Sequence, residues 1–398
     1  MLEKLFLELE ELYPQMVEWR RHLHQYPELS FKEVETPKMI AELLESWGIE
    51  VRRNVGGRGV VGTIRGGKPG KTIALRADFD ALPIQDLKEV EYKSKVPGVM
   101  HACGHDAHTA TLLAIAKILS EHRQELSGNV VLLHQHAEEV FPGGALSMIK
   151  DGCLDGVDYV FGNHFTSSAP TGVLCYREGY AMAAVDEFDL TIQGKGGHGA
   201  SPHETIDAIA IGSLIVNQLQ YIVSRRIDPI KPAVVTVGAF NAGEASNVIA
   251  DSATIKGTIR SFDKEVRKQL ECELRKFVEG VCESFGATVE IKYTNGYPST
   301  FNHSDETKVF QQLTSSLFGK EKIIEVEPLM GSEDFSYYLE EKPGMFFFTG
   351  ARNEELGADQ PHHHPKFDID ERAMLYAGKA FLSIVNHYLH VKVTEPVS

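Results

Sequence analysis

Apolar residues recur at three- and four-residue spacing from Lys38 to Trp47, a helical period that stops at Gly48. An earlier helical stretch passes through residues 17–24 and breaks at Tyr26-Pro27-Glu28, where the proline ends it. Shorter apolar runs at residues 60–64 and 72–76 lie between glycine-rich turns, the pattern of buried strands. The second leads straight into Ala77-Asp78-Phe79-Asp80. Residues 109–119 read as a strong helix for which Asp106 is placed as amino-terminal cap. A strand over residues 129–136 runs into Ala137-Glu138-Glu139, and another over residues 159–163 ends at His164. This alternation predicts an α/β sheet, in which sites form at the carboxyl ends of strands. Asp78, Asp80, Glu138, Glu139 and His164 occupy such ends and are expected to converge.

The period changes near Tyr180. Residues 187–193 alternate apolar and polar, as a half-buried antiparallel strand does, and Gly194-Lys195-Gly196-Gly197-His198-Gly199 follows. A helix over residues 206–222, strands over 233–238, 253–260 and 288–293, and a helix over 264–285 complete an α+β unit. The α/β pattern resumes after Tyr297-Pro298, with an apolar strand at 345–350 and a closing helix from Glu371. The expected organisation is a discontinuous domain of residues 1–182 and 298–398 and an inserted domain of residues 183–297. Residues 391–398 are expected to fray.

A chain of 398 residues is too long for one ordinary core, which agrees with two domains. The apolar fraction of 42% and charged fraction of 24% are those of a globular protein, and no apolar run approaches the roughly 20 residues that span a bilayer. A formal charge of -16 disfavours nucleic acid and anionic membranes as partners. The first eight residues read as an acidic amphipathic helix without the basic start of a secretion signal, so a cytoplasmic location is expected. Five scattered cysteines suggest no disulfide framework; Cys272 and Cys282 read as packing thiols, and only Cys103 sits among other potential ligands.

The densest chemistry lies in Met100-His101-Ala102-Cys103-Gly104-His105-Asp106-Ala107-His108, where histidines, a cysteine and an aspartate surround a glycine that frees the backbone to turn. Cys103 and His105 are two apart, so in an extended segment they face the same way and can grip one ion. Taken alone, the cluster also fits a buried turn satisfied by hydrogen bonds. The remaining chain supplies the Glu138-Glu139 pair, His164 and one member of His362-His363-His364. A two-metal hydrolytic site needs about this mix, because imidazole and thiolate fix the ions while carboxylate offsets their charge. Of two adjacent glutamates, one can bind metal while the other points elsewhere and serves as general base.

The motifs Leu75-Arg76-Ala77-Asp78-Phe79-Asp80-Ala81-Leu82-Pro83, His101 through His108, Ala137-Glu138-Glu139, Gly196-Gly197-His198-Gly199-Ala200-Ser201-Pro202-His203 and His363-His364-Pro365 resemble those of the dinuclear metal aminoacylase and carboxypeptidase family. Within it they are most similar to the branch of N-acyl-amino-acid amidohydrolases, hippurate hydrolases and auxin-conjugate hydrolases, over nearly the whole chain and in the same order. The resemblance implies a metal-dependent exopeptidase-like catalytic domain with a central mixed sheet, and an inserted ferredoxin-like α+β domain for dimerisation or as a lid. It implies Cys103, His105, Glu139, His164 and His363 as ligands of two divalent transition-metal ions, with Glu138 as general base and Asp80 orienting a ligand from behind. The thiolate favours zinc, manganese, cobalt or nickel over magnesium or calcium. His198 matches a histidine that reaches the site of a partner subunit and stabilises an oxyanion, which makes a homodimer or homotetramer the expected assembly.

His363 is chosen from its triplet because it stands two before Pro365, with His362 the second choice. His136 departs from relatives that carry proline there and is placed to bind metal or to tune Glu138. His101 and His108 are assigned to support. Asn247 and Arg260 are the candidate substrate contacts, the arginine fork suiting a carboxylate. Gly331-Ser332-Glu333-Asp334-Phe335 resembles a family segment near the site and equally reads as a helix start. The activity implied is hydrolysis of an amide joining an acyl group to an amino acid. A dipeptidase or carboxypeptidase built on the same site is the nearest rival, and a metal-binding module without turnover the rival from another class.

Overall fold

A computed structural model describes residues 2–389 of the chain; residues 391–398, where fraying is expected, lie outside the described range. The chain divides into two compact units, Met1–Ala181 with Phe301–Glu327 and Asp334–Ser398, and Met182–Thr300 with Pro328–Glu333.

The first unit is built on an eight-stranded mixed sheet. Its strands β1 (Glu50–Val55), β2 (Gly59–Arg65), β3 (Lys68–Asp78), β4 (Ser127–Gln135) and β5 (Tyr159–Pro170) lie in the order β1-β2-β4-β3-β5, continued by Gly344–Arg352, Leu174–Tyr176 and Ile323–Glu325. β4, β3, β5 and Gly344–Arg352 run parallel, so their carboxyl ends share one side. Three helices of this unit are α1 (Leu2–Gln25), α2 (Glu35–Ser46) and α3 (His105–Glu121); α1 packs on α3, and α2 on β1 and β2. α3 is buried almost all round, as a helix with apolar residues on every face must be, and its alanines and leucines join the main core.

Local details differ from the periodicity at the places that matter most. α3 begins at His105, and Gly104 turns the chain into it with φ of 93°, a left-handed value that glycine adopts freely. Cys103 and His105 are therefore brought together by a turn into a helix and not by an extended segment. Asp106 is not the cap; it lies in the first turn, accepts the Ala107 N–H and meets Arg20 of α1. β5 runs on to Pro170, which puts His164 inside the strand and not at its end.

In the second unit, Ala184–Gln193, Ala233–Ala242, Ser252–Ser261 and Thr288–Asn295 form an antiparallel sheet with the helices Ala208–Tyr221 and Lys264–Ser284. The fourth strand lies beside the first, the first beside the third and the third beside the second, which is the ferredoxin-like arrangement. Asp207 and Asp263 each accept two backbone N–H groups at the helix starts, satisfying donors that the helices leave open.

α1 and α3 are joined by a buried ion cluster. Arg20 lies 2.8 Å from Asp106, 2.6 Å from Asp368 and 3.3 Å from Glu371, and His24 Nδ1 is 2.7 Å from Asp106 Oδ2. Burial opposes the charge on Asp106, but Arg20 outweighs it and holds the carboxyl well below its ordinary range. Removing one partner of such a cluster strands the others without a counter-charge. Arg20→Met is expected to lower the unfolding free energy by about 3–5 kcal/mol, read from its denaturation midpoint; a change under about 1 kcal/mol would show the cluster to be dispensable.

Candidate metal centre and active site

The site is assembled by carboxylates at the ends of the parallel strands. β3 ends at Asp78, paired in register with Gln135 at the end of β4. Asp80, two residues on, brings Oδ1 to 3.1 Å from His105 Nδ1, while its Oδ2 accepts the Glu139 N–H at 3.0 Å and the Ser30 hydroxyl at 2.6 Å. One buried side chain thus fixes both an imidazole and the backbone of the glutamate pair. Asp78 is 2.6 Å from His108 Nδ1 and 2.6 Å from Arg76 Nη1, and His108 Nε2 accepts the Phe165 N–H. Arg76 in turn donates to Asp334 at 2.8 Å.

Five expected ligands meet here. Cys103 Sγ is 3.4 Å from His164 Nε2, whose ring donates from Nδ1 to the Phe165 carbonyl at 2.6 Å. Glu139 Oε1 is 3.3 Å from His363 Nε2, and the His363 N–H bonds the Ala102 carbonyl, tying its loop to the cysteine segment. Donor atoms of Cys103, His105 and His164 lie within 4.8 Å of one another, as do those of Cys103, Glu139 and His363 and those of His105, Glu138 and Glu139. The first two groups share the thiol. His105 Nε2 is buried with no hydrogen-bond partner, 3.6 Å from Asp78, 4.0 Å from Glu138 and 3.9 Å from Glu139. A buried nitrogen aimed at carboxylates, with thiol and imidazole donors alongside, is the chemistry that a soft divalent cation satisfies.

The electrostatics point the same way. Burial disfavours a charged His105, yet Asp78, Asp80 and Glu139 outweigh it and raise its pKa to about 10. Burial, reinforced by Glu139 and Glu138, pushes the Cys103 thiol well up, so without a cation it stays protonated. His164 is driven well down by burial and by His108, leaving a neutral imidazole suited to ligation.

The other histidines separate by geometry. His136 belongs to none of the metal-capable groups found among the described residues; its ring lies edge-on to Phe31, and burial lowers it to about 4. His362 packs on Phe367, and His364 accepts the Lys366 N–H in its own turn. His101 is buried with both ring nitrogens unbonded and faces His24.

His198, Asn247 and Arg260 lie in the second unit. His198 pairs with Val248 in a two-stranded sheet, and the Asn247 carbonyl accepts the Gly199 N–H. The His198 Nδ1 accepts from Ala200, so its proton is on the exposed Nε2. Arg260 gives one guanidinium N–H to the Met330 carbonyl at 2.6 Å.

Periodicity and motif spacing did not single out Asp334, Ser30 or Glu33. Asp334 lies in the segment that equally reads as a helix start; it is buried and accepts from Arg76, Gln135 and the Ala145 N–H. Glu33 is buried between α1 and α2, and its Oε1 accepts the Ala137 N–H at 2.9 Å. The only local sign of either loop residue was its place just after the Tyr26-Pro27-Glu28 break.

The donor groups gathered here are of a kind that can hold metal ions, and comparison with known proteins gives the family. The chain belongs to peptidase family M20/M25/M40, whose model matches residues 74–387, and it is a hydrolase of that family. It is 46% identical to thermostable carboxypeptidase 2 of Saccharolobus solfataricus, over 93% of this chain and 94% of that one. It is also 46% identical to an N-acyl-L-amino acid amidohydrolase of Geobacillus stearothermophilus, covering 75% of this chain and 80% of the other. The crystal structure of Bacillus subtilis YXEP, described as a dinuclear metal binding peptidase, superposes with a TM-score of 0.81 at 36% identity, over 94% of this chain and 98% of that one.

Burial, with a smaller push from Asp80, raises the Glu33 pKa to about 7. A carboxyl raised in the folded state stabilises it most below its unfolded pKa and loses that contribution as pH climbs through about 7. In metal-free protein, Glu33→Gln is therefore expected to gain stability relative to the parent between pH 5 and pH 8. Melting temperatures that stay equally spaced across that range would contradict the assignment.

Proposed function

We propose that this hydrolase cleaves the amide bond of N-acyl-L-amino acids, releasing a carboxylate and a free amino acid. The observation that carries the reading is the placement of Glu138. Its carboxylate is buried, with Oε2 4.0 Å from the unbonded His105 Nε2, beside two donor groups that share Cys103. Cys103, His105, Glu139, His164 and His363 would hold two divalent transition-metal ions, zinc, manganese, cobalt or nickel. Such ions supply Lewis acidity, which makes water a stronger acid and an acyl carbonyl a better electrophile.

The chain's own groups carry the protons. Glu138 takes a proton from the attacking water as the oxygen–carbon bond forms, then delivers it to the amide nitrogen as the carbon–nitrogen bond breaks. Without that delivery the amine leaves poorly. Asp80 keeps the His105 ring and the Glu139 backbone in place throughout. His198, with its proton on an exposed Nε2, is suited to donate to the oxyanion from a partner subunit, in a homodimer or homotetramer. Arg260 keeps guanidinium donors beyond the one given to Met330, and with Asn247 would receive the substrate carboxylate. A cytoplasmic location fits a small-molecule substrate of this kind.

A carboxypeptidase or dipeptidase activity is the second reading, favoured by the relative named thermostable carboxypeptidase 2. The same proton chemistry serves both, and only the group on the acyl side differs. The separating assay offers N-acetyl, N-benzoyl and dipeptide derivatives of one amino acid to the metal-replete enzyme. The acyl substrates are expected to turn over faster; a uniform preference for dipeptides would transfer the assignment to the second reading. Glu138→Gln is expected to keep its metal content and lose between about a hundredfold and ten-thousandfold in kcat. Full turnover in that variant would remove Glu138 from its role.

A further inference from the structure

β4 must leave the sheet after Gln135 and within four residues present Glu138 and Glu139 to the site. The turn it uses is unusual for its sequence. Ala137 has φ of 52°, a left-handed conformation that an alanine side chain disfavours and that glycine accepts freely. Ala137 is completely buried, so its N–H cannot turn to water. That N–H donates to Glu33 Oε1 at 2.9 Å, and the Ala137 carbonyl accepts the Gly144 N–H at 3.1 Å.

Glu33 is itself held from several directions. The preceding Glu28 carboxylate accepts the N–H groups of Val34, Glu35 and Thr36, fixing the loop that carries Glu33 to the start of α2. The Glu28 carbonyl accepts the Ala81 N–H, one residue past Asp80, and Arg58 donates to the Glu33 carbonyl. Glu33 Oε2 has no hydrogen-bond partner and lies 3.9 Å from Arg58 Nε. Two buried carboxylates from separate segments thus grip alternate N–H groups of one short stretch, Glu33 at Ala137 and Asp80 at Glu139.

We infer that Glu33 is a positioning residue: its carboxyl oxygen holds Ala137 in the left-handed turn that aims Glu138 and Glu139 into the site. The inference rests on Glu138 as the proton-transfer group, and its own content is a conformational claim about residue 137. Without Glu33 the Ala137 N–H is buried and unpaired, and the alanine relaxes towards ordinary backbone angles, carrying the glutamates with it. An amide at position 33 still offers an oxygen to the N–H. A glycine at position 137 needs less holding.

The test compares Glu33→Ala, Glu33→Gln and the double variant Glu33→Ala with Ala137→Gly in the full-length, metal-loaded enzyme. Glu33→Ala is expected to lose tenfold or more in kcat with KM within about threefold of the parent, since the reacting geometry and not substrate capture is disturbed. Glu33→Gln is expected to keep most of kcat, and the double variant to recover at least threefold over Glu33→Ala. Hydrogen–deuterium exchange of residues 134–140 in metal-free protein gives a readout independent of turnover: faster in Glu33→Ala, near parental in Glu33→Gln. Parental kcat in Glu33→Ala, no recovery in the double variant, or unchanged exchange would each overturn the inference. An inactive parent would instead fail the proposed function, and the exchange measurement would still decide the role of Glu33.

Discussion

Too many carboxylates share too small a space, and the site is organised by that constraint. Asp78, Asp80, Glu138, Glu139 and Asp334 are gathered where the parallel strands end, and among the described residues the guanidinium of Arg76 is the buried permanent cation set between two of them. Anions buried in this number persist only with compensation from donors, protons or metal ions. The protein supplies donors by aiming backbone N–H groups at Asp80 and Asp334 and imidazoles at Asp78 and Asp80. Beside His105 Nε2, thiol, imidazole and carboxylate donors face one another.

That constraint also explains which features lie deepest. Arg20 and His24 fasten α1 to the first turn of α3 through Asp106, and α3 carries His105 in that same turn. Asp368 and Glu371 join this cluster shortly after the loop of His362 to His364, so the segment bearing His363 is anchored at its far end. Ion pairs and hydrogen bonds outside the centre therefore hold the segments that carry the candidate metal donors.

Much of the fold was readable because it follows period. α3, the parallel strands and the ferredoxin-like unit all show the spacing of their class, and Cys103, His105, Glu138, Glu139, His164 and His363 stood out because such side chains seldom cluster by accident. The details that periodicity missed have no local signature. Arg76 and Asp334 are 258 positions apart, and nothing near either announces the other. A left-handed alanine at residue 137 looks like any alanine, and Glu33 and Ser30 look like loop residues until the fold brings them under the site. Even His164, which the fold does bring beside Cys103, was placed at a strand end when β5 continues past it, because the polar residues after it imitate a loop. The preference between an acyl group and a peptide on the far side of the scissile bond is unreadable for a related reason: relatives that are each 46% identical over the matched residues carry names of both kinds.

Cys103 belongs to two metal-capable groups, and on the proposed function the centre holds a pair of ions. Anomalous X-ray diffraction from the zinc- or manganese-loaded protein, collected on either side of the metal absorption edge, tests it most directly. Two anomalous peaks per chain are expected, one against Cys103, His105 and His164 and one against Cys103, Glu139 and His363. A single peak, or peaks that leave the Cys103 sulfur uncoordinated, would contradict it.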